Sequence, residues 1–356
     1  LINRAYTVSV PKVLELIYSV ESMRTVKKST PVLLVVGVGN NALDTIIRLP
    51  HFPAPDSKVE LLSVEPMPGG QVASAMVACS RWGLRARYIG KIGDDDAGRR
   101  QMDEMKRERV EARWIVAHGC SSQSSFVLVD QISGDRTVLW NRDPKISLRP
   151  KDLKRSWIRG AQALLVDGHD TEAATRAAKW AREDELPVVG DFDSRYPGVE
   201  ELLQYVDFPI MSKDFPWRLT GESDLLKSLP LIHVKFKCRF TAATLGPAGV
   251  IAWNGRNFLH CAGYRIRAAD TTGAGDIFHG AFLYGVVHNW PVERTLEFSS
   301  AAAALNCEAP GARGGIASLR RIEALRRGGA RSEPAYSNWR LREADRAALL
   351  MAGGRS

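Results

Sequence analysis

Apolar residues recur along this chain in two alternating styles, as short dense β-branched runs and as longer stretches with helical spacing. Residues 32–38 (VLLVVGV) are continuously apolar and end beside glycine, which predicts a strand buried on both faces. Residues 72–82 carry small apolar side chains at helical intervals, with Gly83 to close the helix. Residues 86–92 read as a strand and 96–108 as a charged amphipathic helix. Short buried strands are predicted at 163–167, 187–191 and 206–211, with a helix at 171–183 between the first two. Two strong helices follow at 275–288 and 292–306. Strand and helix alternating at this spacing predict βαβ units and a mostly parallel sheet. Two segments break that order: an exposed strand near 58–66, and a hairpin over 124–141 about the turn Ser133-Gly134-Asp135. They are expected to form a small sheet covering a site. A short Asn/Ala/Asp segment follows residue 38 and is broken by Pro50, Pro53 and Pro55, and no internal repeat is evident.

Charge adds to this picture mainly by its location. The chain has 356 residues and a net charge of +9, but residues 1–30 hold +3 and residues 316–356 hold +5, so the body between is almost neutral. Nucleic acid or membrane binding is therefore not expected as the main role. After Gly315 the Arg-, Gly- and Ala-rich composition reads as a tail. The five cysteines (Cys79, Cys120, Cys238, Cys261, Cys307) are widely spaced with no CxxC, which predicts reduced thiols in a cytoplasmic protein. The seven histidines show no HExxH spacing, so no metal directly held by protein side chains is expected. No apolar run approaches the roughly 20 residues of a membrane helix, and no secretory signal is expected at the N-terminus.

The strongest chemical signal is Asp270-Thr271-Thr272-Gly273-Ala274-Gly275-Asp276, followed by an apolar helical run. Small residues at 273–275 let backbone N–H groups converge at a helix N-terminus, a ready site for phosphate oxygens. Asp276 enters the first turn beside that concavity, where it can accept a proton from a hydroxyl while the nest holds a transferring phosphoryl group. A second signal is Gly69-Gly70 before the helix at 72, where paired glycines allow close backbone approach and Gln71 and Ser74 offer hydrogen bonds at i, i+3. The fingerprint-like Gly37-Val38-Gly39-Asn40-Asn41-Ala42 lacks the long helix a dinucleotide site requires, so that reading is set aside.

The string DTTGAGD resembles the C-terminal signature of the ribokinase (PfkB) family of carbohydrate and nucleoside kinases, and the resemblance covers about residues 32–315. It implies a three-layer α/β/α sandwich with a mostly parallel central sheet and a small β-sheet lid. It further implies an N-terminal extension at 1–30, a kinase domain at 31–315 and a basic tail at 316–356. Gly273, Ala274 and Gly275 would form the anion hole and Asp276 the catalytic base. Asp44 has the spacing to Pro53 of the family's sugar-binding acid, and Gly69, Gly70, Gln71, Ser74 and Asp270 would join it around the acceptor. Ser74 departs from the family, which usually has Asn there. Thr244-Leu245-Gly246-Pro247-Ala248-Gly249 resembles the nucleotide-side T-x-G-x-x-G turn, and 301–312 resembles the small-residue helix under the adenine. ATP contacts would then come from Ser212, Lys213, Thr244, Gly246, Gly249, Thr272, Asn306 and Gly311. Ser212-Lys213-Asp214-Phe215 replaces the usual N-x-x-E and is similar to ketohexokinase-like members, so Mg²⁺ would be held through water, phosphate and Asp214 or Asp270. The resemblance implies ATP and Mg²⁺ as cofactors, a monovalent cation such as K⁺ as a further one, a sugar or ketose as acceptor, and a homodimer joined through the lid. A nucleoside acceptor and a non-catalytic ligand-binding protein of the same fold are the alternatives.

Overall fold

The computed structural model describes residues 32–132 and 136–333; the expected turn at 133–135, the N-terminal extension at 1–30 and residues 334–356 lie outside the described residues. Strand β1 (Leu34–Val38) is buried at every position, because it runs through the middle of a nine-stranded sheet between β4 (Arg85–Gly93) and β8 (Ala163–Asp167). Beyond β4 lies β5 (Glu111–Ala117), and beyond β8 come β9 (Val188–Phe192) and β10 (Phe208–Ser212), all parallel. The sheet ends in three short strands, β11 (Thr241–Thr244), β12 (Val250–Trp253) and β13 (Phe258–Cys261), of which β12 alone runs opposite to the others.

Two apolar clusters pack on its faces and make three layers. On one face lie α1 (Gln71–Arg81), α7 (Ala274–Val287) and α8 (Val292–Asn306), whose Met76, Phe282 and Phe298 are fully buried. On the other lie α3 (Thr171–Glu183), α4 (Val199–Leu203), α5 (Phe215–Thr220) and α6 (Leu225–Phe236). Helix α2 (Asp96–Arg107) is capped by Asp95, whose carboxylate accepts from Gly98 N–H. No helix among the described residues is long and apolar enough to cross a membrane.

A four-stranded second sheet, ordered β3-β2-β6-β7, stands over the C-terminal ends of the parallel strands. The expected hairpin is present as β6 (Ser124–Asp130) and β7 (Arg136–Asn141), paired antiparallel. The strand expected near 58–66 is displaced: β3 spans Ser63–Gly69. It carries Pro66 and Pro68, which an edge strand tolerates because the missing donors face outward. The Asn/Ala/Asp segment, for which no strand is expected, contains β2 (Ala42–Leu49), which pairs antiparallel with β3 and parallel with β6. Its ALDTIIRL sequence lacks the alternation of a strand, with buried positions only at Ala42, Ile46 and Leu49, and its β6 partners lie 81 residues away, so local sequence under-reports it.

The basic segment expected as tail from 316 begins instead with α9 (Leu319–Gly328). Ser318 caps it, Ile322 is fully buried against the core, and Arg326 pairs with Glu297 of α8 at 2.9 Å. Arginine-rich composition concealed the helical spacing of Leu319, Ile322 and Leu325.

Candidate active site

The DTTGAGD loop forms the wall between two cavities. Thr272, Gly273 and Asp276 line one of about 350 Å³ under the second sheet. Thr271, Ala274 and Gly275 line the other, of about 770 Å³. Helix α7 begins at Ala274, and Gly273 precedes it at φ +74°, a left-handed conformation that favours glycine. A β-carbon at Gly273 would stand 2.4 Å from the Ala312 carbonyl oxygen, so no larger residue fits. Amides in the first turn of a helix lack intrahelical partners. Ala274 N–H turns back to Thr271 O at 3.3 Å, and Ile277 N–H bonds Gly273 O at 2.9 Å.

Hydrogen bonds hold this loop from behind. Asp270 accepts from Thr272 N (2.8 Å), Thr272 Oγ1 (2.7 Å) and Gly311 N (2.8 Å). Against the burial that would raise it, those bonds keep the Asp270 carboxyl below its usual range. Asn306, fully buried, donates to Thr272 O (3.3 Å) and Ala312 O (3.1 Å). Asp270, Asn306 and Gly311 therefore brace the nest and do not line either cavity.

The smaller cavity gathers residues from both sheets. Asp44 projects from β2, where its Oδ1 accepts from Ser125 Oγ at 2.5 Å. Gly69 packs so closely on this carboxylate that a β-carbon would lie 1.9 Å from Asp44 Oδ2. Gly70 (φ +88°) and Gln71 line the cavity at the start of α1, and Gln71 Nε2 donates to Asp191 at 3.1 Å. Asn40, Gln123, Ser125, Asp193, His169 and Tyr196 complete the wall, and Val138 and Trp140 descend from β7. The His169 and Tyr196 rings lie 4.8 Å apart and 36° from parallel.

Negative charge dominates. Burial, opposed by Arg313 and the Ser74 hydroxyl and helped by the Asp44 and Asp193 charges, leaves the Asp276 carboxyl pushed up to about 7. Burial likewise raises Asp44, against its bond to Ser125 and the Arg313 charge. A carboxylate whose proton affinity lies near neutrality suits general base chemistry.

The larger cavity is lined by Gly246, Pro247 and Gly249 of the expected turn, by Ser300, Ala303 and Ala304 on α8, and by Cys307 just after it. The small side chains of α8 leave a flat apolar floor there. Arg136 of β7 borders both cavities and donates to Thr272 Oγ1 at 3.1 Å. Thr244 lies outside the lining, its hydroxyl spent on Met211 O at 3.3 Å, and Ser212 Oγ donates to Asp193 O. Lys213 and Asp214 face a separate recess beside Leu245 and Ala248.

Sequence reasoning missed Asp193, His169, Tyr196, Arg136 and Arg313. The first two were accessible from topology alone, since both follow directly on the C-terminal ends of parallel strands, where ligands bind open α/β sheets. Arg313 had no local signal. It is buried and reaches Ser74 Oγ (3.1 Å), Asn41 Oδ1 (3.2 Å) and Gly69 O (2.5 Å), contacts 239 to 272 residues away in sequence.

Comparison with known proteins bears on the arrangement. The model of the family described as pfkB family carbohydrate kinase matches residues 33–318. The chain is 23% identical over 293 residues to the ribokinase of Bacillus subtilis, covering 81% of this chain and 97% of that protein. It is 24% identical over 261 residues to the 5-dehydro-2-deoxygluconokinase of Geobacillus thermodenitrificans, covering 67% and 77%. A crystal structure of a protein assigned as a ribokinase from Agrobacterium tumefaciens superposes with a TM-score of 0.78 at 29% identity, covering 83% of this chain and 98% of that one.

Proposed function

The chain belongs to the pfkB family of carbohydrate kinases, and on that premise we propose that it transfers the γ-phosphoryl group of ATP to a hydroxyl of an uncharged sugar or ketose. The single observation that carries this reading is the position of the DTTGAGD loop between two cavities, with Asp276 facing the smaller and Gly275 the larger. The acceptor occupies the smaller cavity and the nucleotide the larger. Asp44 accepts two hydroxyls of the acceptor, and Gln71 and the Gly69-Gly70 turn fix its orientation. Asp276 takes the proton of the attacking hydroxyl, and the amides after Gly273 balance charge on the transferred group. Arg136 spans the two cavities at the same point and can meet phosphate oxygens as they move between them.

Three carboxylates, Asp44, Asp193 and Asp276, line the acceptor cavity, which argues against acceptors that already carry phosphate or carboxylate. A nucleoside is the second reading, favoured by the aromatic rings of Trp140, His169 and Tyr196 at the same cavity. Mg²⁺ supplies charge neutralisation at the phosphates when bound. Its hold falls to phosphate and water, with Asp214 in its separate recess or Asp270 behind the loop reaching it only through water, as suits an ion that keeps several waters. K⁺ dependence is a further part of the proposal, tested by replacing K⁺ with choline.

Lid pairing between two copies is also proposed. Val64, Phe126 and Leu139 are about half exposed, and the register sets Phe126 opposite Leu139 on the lid face turned away from the cavity. Phe126→Glu should shift the mass measured by light scattering from dimer to monomer; an unchanged mass rejects the pairing. The function itself is tested by ADP release across a panel of neutral sugars, sugar acids, sugar phosphates and nucleosides. Stimulation by a neutral sugar is the expected result, and no stimulation by any acceptor would leave a binding protein as the better reading.

A further inference from the structure

Gln71 opens α1 and lines the smaller cavity. Its Nε2 donates to Asp191 Oδ1 at 3.1 Å, while its Oε1 has no hydrogen-bond partner among the described residues. The direction of the amide is therefore set by Asp191. That aspartate lies near the C-terminal end of β9, is 6% exposed, and lines neither cavity. A carboxylate is seldom buried this deeply without a partner of its own.

The partner is His279, three residues beyond Asp276 on α7 and 3% exposed. Its Nδ1 lies 3.2 Å from Asp191 Oδ2 and 2.7 Å from Gly275 O, and its Nε2 lies 3.2 Å from Ile210 O on β10. Peptide carbonyls only accept hydrogen bonds, so the ring meets them as a donor from both nitrogens, and the Asp191 carboxylate balances the resulting charge. Burial works against both charges, lowering the proton affinity of His279 and raising that of Asp191. The Gly275 and Ile210 carbonyls oppose the first shift and Gln71 opposes the second. These contacts draw four elements to one point. Gln71 brings α1 and the acceptor cavity, Gly275 brings the first turn of α7 and the wall of the larger cavity, and Asp191 and Ile210 bring the ends of β9 and β10.

We propose that Asp191 and His279 are a positioning pair for phosphoryl transfer: through them the Gln71 amide is fixed to the first turn of α7, so the acceptor hydroxyl and the nest keep one separation. This rests on the reading of the smaller cavity as the acceptor's place. Neither side chain lines a cavity, so the pair acts on geometry alone. A displacement of about 1 Å between reacting groups can cost about 10²-fold in rate.

The test is steady-state kinetics of the full chain with ATP and its best acceptor, for Gln71→Met, Asp191→Asn, their double variant, His279→Gln and Gln71→Glu. Gln71→Met and Asp191→Asn should each raise KM for the acceptor roughly 10-fold, with KM for ATP unchanged. The double variant should be no worse than the more affected single one, because both lose the same bond. His279→Gln, whose one amide cannot serve both carbonyls, should lower kcat about 10- to 100-fold, more than it raises either KM. An acceptor KM unmoved by Asp191→Asn, or KM effects that multiply in the double variant, overturns the proposal and leaves the pair to core packing. So does a kcat that His279→Gln leaves intact. Should Asp191→Asn fail to fold, Gln71→Glu decides: a second carboxylate set against Asp191 should raise acceptor KM beyond Gln71→Met, and an equal or smaller rise overturns the coupling. Failure of the underlying reading shows separately, as an acceptor panel in which nothing stimulates ADP release by the native chain.

Discussion

Replacing Asp276 with Asn should abolish turnover and at the same time make the protein harder to unfold at alkaline pH. The carboxyl is pushed from its ordinary 3.8 up to about 7, a rise of about three units. At about 1.4 kcal/mol per unit, ionising it inside the fold costs up to about 4 kcal/mol relative to the unfolded chain. The sign follows from which state holds the proton. Below pH 3.8 both states are protonated and the aspartate carries no penalty. Between 3.8 and 7 the unfolded chain ionises while the folded one stays protonated, so native stability falls as pH rises. Above about 7 the full penalty is present. Asparagine is neutral throughout, so the gap between variant and native chain should open across that window. Urea unfolding at pH 4 and pH 8 measures it: near coincidence at the first, and a higher midpoint for Asp276→Asn at the second. Loss of the base should lower kcat by about 10²–10⁴. In the native chain kcat/KM should fall about tenfold for each unit below pH 7 as the base is protonated. A variant that turns over normally refutes the general-base role. A variant no more stable than the native chain at pH 8 refutes the claim that the site stores this penalty.

Three further outcomes follow from the geometry. Asp44→Asn should raise KM for the acceptor by roughly 10- to 100-fold, the worth of charged hydrogen bonds, while KM for ATP stays fixed in steady-state assays. Gly273→Ala would set a β-carbon 2.4 Å from Ala312 O and force a positive φ on alanine, so kcat should drop with a stability loss of about 1–3 kcal/mol measured by thermal unfolding. Ala304→Trp should fill the larger cavity and raise KM for ATP without altering acceptor affinity measured calorimetrically in the absence of nucleotide.

Those features divide by how far their causes reach along the chain. The buried β1 run, α1 with its glycines and the DTTGAGD turn into α7 are local patterns, and the structure carries each within a few residues of its expected span. The lid was harder to read. Strand β2 exists because β3 and β6 sit on either side of it, and its own eight residues signal little. Helix α9 hid in arginine-rich composition because only three apolar positions face the core. Among the site residues, Asp44, Gly70, Gln71 and Asp276 converge on one cavity as their types suggested. Thr244, Asn306 and Gly311 sit near the expected place, but the first two spend their side chains on backbone carbonyls and Gly311 spends its N–H on the Asp270 carboxylate, a distinction that spacing does not encode. Arg313 depends wholly on tertiary contact.

The lid joins the core at places that are also walls of the acceptor cavity. The chain passes from β1 into β2 through Gly39-Asn40-Asn41, and from β3 into α1 through Gly70, whose φ is +88°. Asn40, Gly70 and Gln71 all line that cavity. A ligand seated there touches these two crossings between core and cover, so it would act as a splint across the joint that any opening must bend. Seating the sugar and stiffening the lid are then one event, and acceptor binding alone, with no nucleotide, should slow amide exchange in β2 and β3.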